Sequence, residues 1–135
     1  MIITRFAAVA GFLALSACDP LDSEDERPCV CTDQFVSVLF WAVDSLQTPQ
    51  DSFVVTVRNH RNGETYDVPQ PTWGVGVYRA IDDSFTRRVS NGDPIQVTGE
   101  RGARSFDAQF LIGVDDCQCH VHKISGPDTV VIENP

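Results

Sequence analysis

Basic charge is scarce in this chain. Its 135 residues carry 10 Lys plus Arg against 19 Asp plus Glu, a formal net charge of -9. Nucleic-acid binding needs a basic face to displace condensed counterions, and adhesion to anionic lipid through surface charge needs the same. Both are excluded on charge. Long apolar runs are lacking too: residues 6–17 make a run of twelve, short of the ~20 that span a bilayer. The sequence has no zinc-protease helix motif, serine elbow, phosphate-cradling Gly loop or dinucleotide fingerprint. No enzyme is expected and no cofactor is implied. Any catalytic site would have to be assembled from scattered residues, with no contiguous motif to reveal it. Neither an internal repeat nor a coiled coil is present. What remains is 42% hydrophobic and 21% charged, too apolar for wholesale disorder and long enough for one domain.

The start of the chain reads as an address. Arg5 is the only charge before Asp19, and the apolar run that follows it suits the h-region of a secretory signal. Leu15-Ser16-Ala17-Cys18 then resembles the bacterial lipobox, an aliphatic residue and two small ones before a cysteine. That resemblance implies cleavage after residue 17, a diacylglycerol on the Cys18 sulfur and acylation of the new amino terminus, a palmitate-type anchor. Each buried CH₂ contributes ~0.8 kcal/mol, so two or more chains hold where one holds marginally. Asp19 resembles the signal that retains enterobacterial lipoproteins at the inner membrane; inner and outer membrane both stay open. Residues 19–28 carry five acids, one Arg and two prolines, the composition of a solvated tether that reaches up to ~30 Å. The expected organisation is therefore signal peptide 1–17, lipidated Cys18 with its tether 18–28, and a domain at 29–135. The tether accounts for -4 of the charge and the domain for -6.

Four cysteines remain, as Cys29-Val30-Cys31 and Cys117-Gln118-Cys119. An exported chain meets an oxidising compartment, so an even number reads first as disulfides. A ring closed within Cys-x-Cys is strained, which favours bridges between the pairs. On adjacent antiparallel strands Cys29 would join Cys119 and Cys31 would join Cys117; on parallel strands Cys29 would join Cys117 and Cys31 would join Cys119. The antiparallel arrangement is preferred. The closed loop of nearly ninety residues is worth ~4 kcal/mol in the chain-entropy treatment. The rival is a zinc or copper(I) site drawn from Cys117, Cys119, His120 and His122. One residue between paired cysteines is fewer than structural zinc sites use. On a strand, the two histidines would also face away from the two sulfurs.

The body reads as short strands. Residues 35–43 (FVSVLFWAV) are β-branched and aromatic, apolar on both faces, and so predict a strand covered on both sides. Residues 53–58 alternate, Asn62-Gly63 signals a tight hairpin in which both residues accept positive φ, and 64–68 forms its return. Further strands are expected at 77–81, 94–100, 104–114, 117–124 and 129–132. Asp82 to Val89 reads as one or two helical turns with acids first and arginines last. Asp115-Asp116 and Asp82-Asp83 lack the ligand spacing of a calcium loop and read as a turn and a helix cap. His60 sits beside a hairpin turn. Seven or eight strands and one short helical turn predict an all-β immunoglobulin-like or transthyretin-like sandwich.

The segments FVSVLFWAVD, FVVTVRN, GVYRAIDDSF and PIQVTGERGARSFDAQF resemble carboxypeptidase-regulatory-like domains, with CHVHKISGPDTVVI similar to the ends of short bacterial lipoproteins. The likeness covers about residues 31–132 and departs from those modules at Ser45–Pro49, where they carry a Gly-x-Pro-hydrophobic turn. It implies a transthyretin-like sandwich with no active-site residues. Trp73, in a loop of prolines and glycines, is the candidate contact for a glycan or envelope protein. Arg58, Arg61, Arg101 and Arg104 could gather at hairpin tips. The expected function is a non-catalytic binding or scaffolding module anchored to the bacterial envelope through Cys18, with metal binding as the alternative.

Overall fold

The computed structural model describes residues 28–133. The signal segment, Cys18 and the tether up to Arg27 lie outside the described residues.

Strict alternation organises the longest strands. In Arg104–Val114 the side chains of Phe106, Ala108, Phe110 and Ile112 are buried while Asp107 and Gln109 face solvent. Asp93–Arg101 pairs with it antiparallel, placing Ile95 and Val97 inward beside Phe110 and Ala108. A period of two puts one stripe of each strand into the core, where each large apolar side chain contributes ~1.5–3 kcal/mol. Gly99 stands opposite Phe106 in this ladder, and any Cβ there would overlap the Phe106 ring. Glycine is required at that position for space.

The strands in chain order are β1 Ser37–Val43, β2 Val54–Asn59, β3 Thr65–Tyr66, β4 Val77–Asp82, β5 Asp93–Arg101, β6 Arg104–Val114, β7 Val121–Ser125 and β8 Thr129–Val131. They form two sheets, β4-β1-β8 and β3-β2-β5-β6-β7. Their inner faces enclose one core in which Phe40 packs on Tyr78, Phe106 and Phe110 with centroids 5.3 to 5.9 Å apart. The expected all-β sandwich is what the chain adopts. Gly126-Pro127 carries the chain from β7 in the large sheet to β8 in the small one, where β8 runs parallel to β1. Glu133 then bridges to Ser105, linking the sheets at one end.

Three local expectations change. Trp41 on β1 is 46% exposed and Leu39 only partly buried, with Val43 alone buried on that face, so most of β1 is covered on one face, because the sandwich has only two layers. The β2–β3 connection spans five residues, of which Gly63 alone takes positive φ, and Asn62 instead accepts from the Glu64 N–H. The helical segment shrinks to a 3-10 turn, Asp83–Phe85, capped by the Asp82 carboxylate through the Ser84 N–H at 2.9 Å. Arg88 leaves it to lie over the Tyr66 and Phe85 rings and to pair with Glu64.

Candidate functional site

Residues 28–36 belong to no strand, and those before Val36 are exposed. This strap runs along the turn between β6 and β7, which is itself shaped by Asp115. The Asp115 carboxylate accepts the N–H of Cys119 at 2.7 Å and of His120 at 3.2 Å, while Gln118 takes φ of 54°. Asp115 thus serves as the expected turn residue. The bridges are Cys29–Cys117 and Cys31–Cys119, each with Cα atoms 5.4 Å apart. This replaces the preferred antiparallel pairing, Cys29 with Cys119 and Cys31 with Cys117. The physical reason is direction: residues 117–120 form a turn rather than the start of a strand, and the strap lies alongside them in the same sense. A constant separation of 88 results. The first bridge closes the long loop; the second then closes only a small ring and adds little loop entropy.

The same offset carries one residue further. Thr32 Oγ1 lies 2.9 Å from His120 Nε2, again 88 residues away. The other ring nitrogen, Nδ1, lies 2.8 Å from Asp83 Oδ2. Asp83 is 9% exposed at its side chain and His120 24%. The carboxylate also accepts the backbone N–H of Val36 at 2.7 Å and of Val121 at 2.8 Å. Burial alone would raise the Asp83 pKa. The His120 hydrogen bond and the two backbone donors outweigh it and hold the carboxyl below its ordinary value. An ionised carboxylate only accepts, so the proton of a neutral His120 sits on Nδ1 and Nε2 accepts from the Thr32 hydroxyl. A hydroxyl, an imidazole and a buried carboxylate therefore form one chain. Thr32 and Asp83 went unrecognised as a pair with His120 because 88 and 37 residues separate each of them from it. The parallel cysteine pairing, not the one preferred on sequence, has the 88-residue offset that also relates Thr32 to His120.

The other candidates separate. Cys117 and Cys119 have no free thiolate, and both His120 ring nitrogens are engaged. His122 lies beside Gly113 and Asn91, where a Cβ on Gly113 would collide with its ring. Among the described residues no group of three or more His, Cys, Asp or Glu could hold a metal ion. The proposed donor set is thus divided between two bridges, a relay and a separate packing contact. The arginines divide as well. Arg61 pairs with buried Asp93 beside the β2–β3 loop, whereas Arg101 and Arg104 share Gln50 Oε1 at 3.2 Å at the opposite end.

That opposite end gathers the β1–β2, β3–β4 and β5–β6 connections. Arg101 lies over the Phe53 ring, 4.7 Å from its centroid, and the Tyr78 hydroxyl ties the first loop to β4 by donating to the Gln50 carbonyl at 3.2 Å. A shallow cavity of about 240 Å³ is lined by Asp51, Pro71, Thr72, Gly74 and Val75. Trp73, within the same loop, is 59% exposed, the placement that a contact residue requires. No family model matches the chain, and comparison with curated proteins and with solved structures finds no match to either.

Proposed function

We propose that this protein is a bacterial envelope lipoprotein, anchored through Cys18, whose β-sandwich presents a loop cluster to a protein or glycan partner. The observation that carries the reading is the polarity of the domain. β1 leaves the strap and ends at the loops that hold Trp73 and Asp51, so the strap and these loops lie at opposite ends of the sandwich. The lipobox-like Leu15–Cys18 and the acidic tether support attachment at the strap end. The likeness to carboxypeptidase-regulatory-like modules supports an accessory role. Trp73 is exposed in the loop whose residues Pro71, Thr72, Gly74 and Val75 line the cavity together with Asp51, and so supplies an aromatic face near polar groups of the kind that a glycan or a protein hot spot engages. The zinc or copper alternative needs thiolates that the two bridges consume.

Fractionation of cells expressing the wild type and Cys18→Ser tests the anchor: the wild type sediments with membranes and the variant is released. A variant that stays with the membranes would overturn the proposal. Proximity labelling from the anchored protein, with the released variant as control, identifies the partner.

A further inference from the structure

We infer that Thr32 is an activated nucleophile for acyl transfer, with His120 as its general base and Asp83 as the residue that orients His120. The inference adds an activity to the presenting role and does not depend on the anchor.

Three observations support it. The hydroxyl–imidazole and imidazole–carboxylate separations, 2.9 and 2.8 Å, are both within proton-transfer reach. The order of exposure is also appropriate: Thr32 is open to solvent, His120 is partly covered, and Asp83 is nearly buried and ionised. An incoming acyl donor can therefore reach the hydroxyl without meeting the carboxylate. Finally, the Cys31–Cys119 bridge immediately precedes both reacting residues and holds the strap against the turn. The Thr32–His120 contact adds little to the stability of the fold. Asp83 already fastens Val36 and Val121 directly, and an exposed hydroxyl–imidazole contact contributes only about 1 kcal/mol. The groups facing His120 are Thr32 from the strap, Asp83 from the 3-10 turn and Asp115 from its own turn.

In the reaction, Thr32 Oγ attacks the carbonyl carbon of an ester and its proton passes to His120 Nε2. The tetrahedral adduct collapses, the bond to the alkoxy group breaks, and the leaving alcohol takes the proton from His120. Water then attacks the Thr32 ester with the same base, releasing the carboxylic acid and restoring the hydroxyl. Asp83 stabilises the imidazolium between the two transfers. The substrate class is an uncharged acyl ester. Asp33 follows the nucleophile in sequence and the Asp115 carboxylate accepts the His120 backbone N–H, so the local field disfavours anionic acyl donors.

The test uses the full chain, purified in detergent with its bridges intact. It is treated with a fluorophosphonate probe and, separately, with p-nitrophenyl acetate, and the site of modification is mapped by mass spectrometry. The expected adduct is on Thr32, with hydrolysis that follows the deprotonation of a single imidazole. Thr32→Val and His120→Gln are expected to lower the rate about 10²-fold, Thr32→Ser to retain it, and melting curves to show that each variant is folded. Reduction of the bridges is expected to abolish labelling. Adducts scattered over other hydroxyls would overturn the inference, as would a Thr32→Val protein that turns over ester at the wild-type rate, since His120 would then act alone.

Discussion

Asp83 offers two carboxylate oxygens to three donors from separate parts of the chain: Val36 of the strap, His120 of the β6–β7 turn, and Val121 at the start of β7. Its own N–H also donates to the Val36 carbonyl at 3.1 Å. A residue that reads in sequence as a helix cap has left capping to Asp82 and joined three segments instead. Removing it strands two backbone donors, each of which costs about 1–3 kcal/mol when left unsatisfied. Asp83→Ala is therefore expected to lose about 2–4 kcal/mol at neutral pH, read from the denaturant midpoint. The pH dependence follows from the sign of the shift. The folded pKa lies below the ordinary value of 3.8, so the contribution is complete above that value and fades as pH falls through the folded one. The gap between wild type and Asp83→Ala is expected to close under acid conditions. A gap that persists well below the folded pKa would assign the loss to packing.

At the scale of elements, edges need explanation more than centres. β4 ends the three-stranded sheet, and an open edge invites pairing with another chain. Here the Gln70 side-chain amide covers it, accepting from Arg79 N–H at 2.9 Å and donating to Arg79 C=O at 3.1 Å, as a neighbouring strand would. The Arg79 guanidinium adds a bond to the Pro69 carbonyl at 2.9 Å. Gln70→Ala is expected to cost about 1 kcal/mol and to raise self-association, measured by light scattering against concentration. A variant that stays monomeric at every concentration would show that the strand's own twist protects the edge. The bounds of β6 were fully legible, because Phe106, Ala108, Phe110 and Ile112 recur at the strand period and Gly102 marks the turn before them. The covering of β1 was not. An apolar face is the same in sequence whether another layer packs on it or water does.

At the scale of the whole molecule, the described residues form a sandwich whose core contains no cysteine among them. Phe40, Tyr78, Phe106 and Phe110 lie between the sheets, while Cys29, Cys31 and Cys117 are exposed at one end. Reducing the bridges should therefore loosen the strap and leave the sandwich folded. The expected results are no free thiol among Cys29, Cys31, Cys117 and Cys119 in unreduced, denatured protein, and a loss of ~4 kcal/mol on reduction with the β-sheet spectrum retained. Proteolysis after Phe35 should accelerate at the same time. A collapse of the spectrum would place the bridges within the folding core.

By itself the sequence determined what depends on neighbours along the chain: the alternation that makes strands, the glycines that turn them, and the even number of cysteines left after Cys18. Tertiary structure decided what depends on neighbours across space. It set the direction in which the strap meets the β6–β7 turn, and hence the pairing of Cys29 with Cys117 and Cys31 with Cys119. It also brought Thr32, Asp83 and His120 into one hydrogen-bonded line. Secondary structure repeats at short periods that a pattern can show. Contacts between distant segments follow from how the two sheets pack, and no local period records them.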